Sequence, residues 1–225
     1  VTYITAVDQD PVHIAGMGLR RSLLTCGILA SLYYAGMNVI VPMFDPSYSS
    51  ATQTISELSA VGAPTRTLWV WLAQFYGLLL AAFGIGVWMA AGTSSLLRFV
   101  SVLFIAQVVI GMFWPPMHQR EVLAAGGGSM TDTLHIAFTA AWGLTSITAI
   151  VLAAAAFGKR FRIYSAITLA VLIVFGVLTG LESPDMEANL PTPWIGVFER
   201  INIAAFMIWL IVFAVALIQR ERPHQ

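Results

Sequence analysis

IGVFERINIAAFMIWLIVFAVALI, residues 195–218, has two charges near its start, Glu199 and Arg200, and is wholly apolar from Ile203 onward. Crossing a hydrocarbon core of about 30 Å takes about 20 helical residues, and this stretch is long enough. Five more stretches read the same way: Leu23–Phe44, Leu68–Ala91, Leu96–Trp114, Leu134–Phe157 and Ile163–Leu181. None alternates apolar and polar residues over about 10 positions, as a lipid-facing barrel strand would. Backbone polar groups must then be satisfied within each span, which predicts helices. The expected fold is all-α: a polytopic integral membrane protein with six transmembrane helices in one bundle over residues 23–218. A segment 1–22 precedes the bundle and a tail 219–225 follows it.

The composition agrees. Of 225 residues, 58% are hydrophobic and 10% charged, against about 25% charged in soluble domains, and the mean hydropathy is +0.82. Net charge is zero, so there is no basic footprint for nucleic acid. The single cysteine, Cys26, lies in an apolar run and reads as a small buried hydrophobe. The N-terminal stretch contains Asp8, Asp10 and Pro11 and lacks the form of a cleavable signal. The first span, flanked by Arg20 and Arg21, reads as a signal anchor.

Arg20, Arg21, Arg98, Lys159, Arg160, Arg162, Arg220 and Arg222 fall on one side of the expected topology, and only Arg66, Arg120 and Arg200 on the other. The positive-inside rule places both termini in the cytoplasm. Asp45, Glu57, Glu121, Asp132, Glu182, Asp185, Glu187 and Glu199 are all outside, and Trp69, Trp71, Trp114 and Trp194 sit near the outer ends of spans. The cytoplasmic connections, about Gly92–Ser95 and Gly158–Arg162, are minimal. The outer ones, about Asp45–Thr67, Pro115–Thr133 and Glu182–Trp194, are several times longer, so that a working face, if there is one, is expected on the outer side.

No Asp, Glu, Lys or His lies at mid-span, where an ionisable group would suggest an ion path. The lone lysine, Lys159, sits in a loop, which excludes a retinal Schiff base in the bundle. Small-residue stripes Gly27/Ser31/Ala35 and Ala82/Gly86/Ala90 read as helix-packing seams.

Polar chemistry concentrates at the outer boundary in three places. In TISELSAVGAP, residues 54–64, Thr54-x-x-Glu57 matches a capping box, and Ile55, Leu58 and Val61 recur at helical spacing. A short interfacial helix closed by Gly62 and Pro64 is expected, with Glu57 capping it or with Ser56 or Glu57 facing the bundle mouth. The second place is PPMHQR (Pro115–Arg120) with MTDTLH (Met130–His135). Thr131 or Asp132 suits the N-cap of the fourth span, and Asp132 and His135, three apart, can face the same way. His118, Asp132 and His135 are residue types that hold a divalent metal, although they come from separated segments; hydrogen-bonded loop closure is the competing reading. AAGGGS, residues 124–129, reads as a flexible connection. The third place is Glu199–Arg200, one turn into the sixth span. The two point about 100° apart, so each needs its own partner: Glu57 or Asp132 for Arg200, His118 or His135 for Glu199.

Together these motifs resemble the family of bacterial and archaeal membrane proteins known as domain of unknown function 998 (DUF998). The resemblance rests on Asp45-Pro46 with Tyr48, on Ile55-Ser56-Glu57-Leu58 continuing to Gly62-Ala63-Pro64, and on Glu199-Arg200. Pro116-Met117-His118-x-Arg120 and Thr131-Asp132-x-x-His135 look like the actinobacterial-type members. The resemblance runs from the first span to the sixth. It implies a six-span protein of the cytoplasmic membrane and no particular reaction.

Three functions fit these observations. The first is binding of a lipid, a small molecule or a membrane partner, with Asp45, Tyr48, Ser56, Arg120 and Arg200 as the binding or locking network. The second is a hydrolase acting on a lipid or amphiphile at the outer interface. There Glu57, His118, Asp132, His135 and Glu199 would be catalytic, with a divalent metal on His118, Asp132 and His135. The third is a small-molecule transporter, disfavoured by the uncharged membrane interior.

Overall fold

The computed structural model describes residues 11–220, with side chains from residue 16 onward. Asp8, Asp10 and Arg222, used in the topology reading, lie outside the described residues. Helix α1 (Pro11–Ile40) tightens into a 3-10 turn at Val41–Phe44, where Pro42 removes an amide donor. There follow α2 (Arg66–Ala90), α3 (Ser95–Met112), the short α4 (Arg120–Ala124), α5 (Met130–Ala156), α6 (Lys159–Glu187) and α7 (Ile195–Arg220). Among the described residues there is no strand, and six helices are long and apolar enough to cross a membrane.

These six form a ring in chain order, closed by α7 packing on α1. The small-residue stripes lie on the α1–α2 seam: a Cβ added at Gly27 would meet the Phe83 ring at 2.6 Å, and one at Gly86 the Leu24 amide at 2.9 Å. Ser101 donates from α3 to the Gly84 carbonyl of α2 at 2.7 Å, an interhelical bond of the kind membrane bundles favour.

The two ends of the ring differ. At the end with the short connections, Phe213 of α7 packs against Phe83, Phe104, Phe157, Phe161 and Trp209, with ring centroids 5.1–6.3 Å apart. Aromatic side chains fill the bundle there. Toward the long connections the ring loosens. No residue is buried over 136–145 of α5, 173–185 of α6 or 197–205 of α7, and α5 and α6 make the slightest contact of any consecutive pair in the ring.

The helices overrun the expected spans into polar sequence. Two differences stand out: α1 starts at Pro11, well before the expected Leu23 and inside the segment 1–22, and α6, expected to end at Leu181, continues through Pro184 to Glu187. That extension carries Met186 into a second small core with Ala60, Met117 and Ile195, one residue from each of four segments at the long-loop end.

Candidate functional site

The segment 54–64 holds a single 3-10 turn, Ile55–Ser59, capped as expected: Thr54 Oγ1 accepts from the Glu57 amide at 3.3 Å, and Glu57 accepts from the Thr54 amide at 2.7 Å. The turn is pressed into the bundle, with Ile55, Glu57 and Leu58 buried. Successive side chains of a 3-10 turn diverge by about 120°, so Ser56 and Glu57 leave it in different directions.

Glu57 turns to Arg120. The guanidinium donates from Nε to Oε1 at 2.8 Å and from Nη2 to Oε2 at 2.9 Å, a paired fork that suits a planar donor. The same guanidinium reaches Thr192 Oγ1 at 3.2 Å and the Thr52 carbonyl at 3.2 Å. One side chain thereby joins all three long loops. The sequence offers Glu57 or Asp132 to Arg200, and Arg200 hydrogen-bonds to neither.

Arg200 is held by the first loop's backbone instead. Nη1 donates to the Ser50 and Gln53 carbonyls at 2.8 and 3.3 Å, and Nη2 to the Tyr48 hydroxyl at 2.7 Å. That hydroxyl donates to the Thr54 carbonyl at 2.8 Å, and burial pushes the Tyr48 phenol up to about 12. Glu199 accepts from the Ile55 amide at 2.5 Å, not from a histidine. The loop lies so close to α7 that a Cβ on Gly196 would collide with the Gln53 and Ser50 carbonyls, while the Gly196 amide donates to Ala51 at 3.0 Å. Asp45 stays local, accepting from the amide and hydroxyl of Ser47.

In the second loop, Asp132 Oδ1 accepts from the His118 amide at 2.7 Å, and its Oδ2 lies 2.8 Å from His118 Nδ1. The N-cap of α5 is Ser129, not Thr131 or Asp132: the helix starts earlier than its apolar pattern, and Asp132 completes a capping box from the third position. The glycine run is folded, with Gly126 at φ +77 and the Gly127 amide on the Val122 carbonyl at 2.9 Å. The second loop is tied to the first where the Val61 amide donates to Met117 at 2.8 Å.

His135 is buried, 6% exposed. Its Nδ1 lies 2.8 Å from the Pro115 carbonyl and its Nε2 3.0 Å from Ser56 Oγ. A carbonyl and a bare nitrogen at 2.8 Å would set lone pair against lone pair, so Nδ1 carries the proton and Nε2 accepts from Ser56. The Trp114 indole N–H is directed at the same Nδ1 from 3.2 Å, which asks the opposite role of that nitrogen. The shorter contact, to the carbonyl at 2.8 Å, decides the tautomer, and the indole packs edge-on against the ring.

The His118, Asp132 and His135 side chains are therefore not brought together as a metal triad here. His118 is turned to Asp132, both nitrogens of His135 are engaged elsewhere, and among the described residues no three His, Cys, Asp or Glu side chains come together as a metal site. The sequence puts Ser56 in the network but gives no sign that it lies opposite His135. Thr192, Gly196 and the Pro115 carbonyl went unrecognised. Only Gly196 had a usable signal, a glycine in the first turn of a span.

Beneath the loops an aromatic wall runs through Trp114, Trp142, Tyr76, Tyr34 and Trp69, with neighbouring ring centroids 5.1–6.5 Å apart. Along it, Tyr76 Oη, Gln107 Oε1 and Asn38 Oδ1 are buried without a hydrogen-bond partner among the described residues.

Six apolar helices bearing one interlocked polar face define a multi-pass membrane protein. More specifically, the chain belongs to the family described as protein of unknown function (DUF998), whose profile matches residues 28–216. No curated protein and no solved structure matches the chain.

Proposed function

We propose that the protein binds a lipid or other amphiphile from the surrounding bilayer, with the amphiphile's polar end beneath the interlocked loops. The observation that carries this reading is the loosened α5–α6 seam in the long-loop half of the bundle. Such a seam opens toward lipid, while the opposite half is filled by the Phe213 cluster, which disfavours a path from end to end. Inside, the wall of Tyr34, Tyr76 and Trp142 offers an apolar body with polar tips. The three unpartnered polar atoms, one each on α1, α2 and α3, leave hydrogen-bonding demand that a ligand's polar groups could meet. In this reading the long-loop end faces away from the cytoplasm, in keeping with the excess of Lys and Arg at the short-loop end.

A phospholipid with a photoactivatable acyl chain, incorporated into nanodiscs with the full chain, tests the reading. Adducts should concentrate in 136–145, 173–185 and around Tyr76 and Trp142. Adducts spread evenly over outward residues such as Leu32, Trp71 and Phe99 would overturn it.

A further inference from the structure

Resting on the amphiphile reading above, we propose that Ser56 and His135 are a nucleophile–base pair that cleaves a carboxylic ester of the bound amphiphile. A serine hydroxyl is a weak nucleophile until an adjacent base, itself oriented by a third group, removes its proton. All three parts are present. Ser56 Oγ lies 3.0 Å from His135 Nε2, and the Pro115 carbonyl, 2.8 Å from Nδ1, fixes the tautomer that leaves Nε2 free to accept. The same carbonyl would stabilise the imidazolium formed when the proton arrives.

The nucleophile is held as a catalytic position must be. Residue 56 stands between Ile55, whose amide is taken by Glu199, and Glu57, gripped by Arg120. Ser56 is half-buried, and it faces His135 across 79 residues of sequence. Trp114 contacts the imidazole edge-on and Trp142 in turn, so the aromatic wall described above leads to the pair.

The step balances with water as co-reactant. Ser56 Oγ adds to the ester carbonyl carbon as its proton moves to His135 Nε2. Collapse of the tetrahedral adduct breaks the bond to the alkoxy oxygen, which leaves as the alcohol with that proton. Water then adds to the acyl-serine, giving a proton to His135. Expulsion of Ser56, reprotonated by His135, yields a carboxylic acid and the starting pair.

The full chain in nanodiscs is incubated with an alkyl fluorophosphonate and followed by intact mass and peptide mapping. One phosphonyl group is expected on Ser56, with none on Ser56→Ala, and a labelling rate in His135→Gln lower by on the order of 10²–10⁴-fold. Should His135→Gln fail to fold, the wild-type pH–rate profile decides: a rate that falls as pH drops through the imidazole range supports the base, and a flat profile overturns it. An unlabelled Ser56, or His135→Gln labelled at the wild-type rate, also overturns the pair. Photo-adducts in the α5–α6 seam with Ser56 unlabelled would remove the ester chemistry and leave the binding reading standing. Ser56 labelled without seam adducts, with turnover of p-nitrophenyl butyrate, would remove the amphiphile and keep the pair.

Discussion

Glu57 and Arg120 meet through two parallel hydrogen bonds of 2.8 and 2.9 Å although 63 residues separate them. The carboxylate side chain is 5% exposed and the guanidinium 12%. Removing one member of such a pair strands the other charge, which costs about 3–5 kcal/mol. Arg120→Met should lower stability by that order in denaturant titrations of the detergent-solubilised protein. Arg120→Lys should fall between, because an ammonium keeps the charge and loses the fork. Equal stability of all three proteins would mean the pair contributes nothing to the fold.

Tyr48 links the first loop to Arg200, and burial holds its phenol at about 12. The folded state therefore favours the neutral form. That contribution is complete below the ordinary tyrosine value of about 10 and is lost as pH rises from about 10 to 12. The ultraviolet difference titration between wild type and Tyr48→Phe should show an ionisation near pH 12, and Tyr48→Phe should lose stability less steeply over that window. A midpoint near 10 would contradict the buried placement.

Gly196 has no room for a methyl group. In Gly196→Ala the Cβ meets the carbonyls of Gln53, Ser50 and Ala51, which as backbone atoms cannot swing aside. Overpacking of this kind costs about 1–3 kcal/mol, and the displaced loop should become a site of proteolytic nicking. Gly180→Ala, with nothing within 4 Å of its Cβ, should be neutral or slightly stabilising. Limited proteolysis of the two variants side by side is the measurement.

Asp132 serves the start of α5 and His118 at once. Asp132→Ala should cost about 2 kcal/mol through the lost cap and charge-assisted bonds. His118→Ala should cost about 1 kcal/mol, since Asp132 keeps the residue 118 and Ser129 amides. A double-mutant cycle should give a coupling of about 0.5 kcal/mol or more; strict additivity would mean the two side chains do not interact.

The spans were legible because hydrocarbon demands long apolar runs with internally satisfied backbone. The expected Leu68–Ala91 and Ile195–Ile218 correspond to α2 at Arg66–Ala90 and α7 at Ile195–Arg220. Helix ends were less legible, since α6 continues past its apolar pattern once Met186 finds a buried niche. The polar residues of the site were also legible as rare charges in an apolar chain, but their partners were not. Arg120 and Arg200 lie at the same end, and nothing in their identity says which reaches Glu57. The loop path decides: the Val61–Met117 backbone bond brings the second loop beside Glu57, and Gly196 lets 50–53 settle over Arg200. Ser56 and His135 were likewise visible singly, because their meeting depends on which side of a 3-10 turn faces the bundle.

The bonds from Arg200 to Ser50 and from Gly196 to Ala51 have a temporal consequence. About 150 residues separate these partners, which at roughly 5–20 residues per second is on the order of 8–30 s of synthesis. A nascent chain with five helices in place has the Arg120 and Met117 contacts to its first loop but still lacks those that Gly196, Glu199 and Arg200 supply. The seat of the first loop on α7 is therefore completed only when the last helix is inserted, after the Glu57–Arg120 and Ser56–His135 partners have all been made.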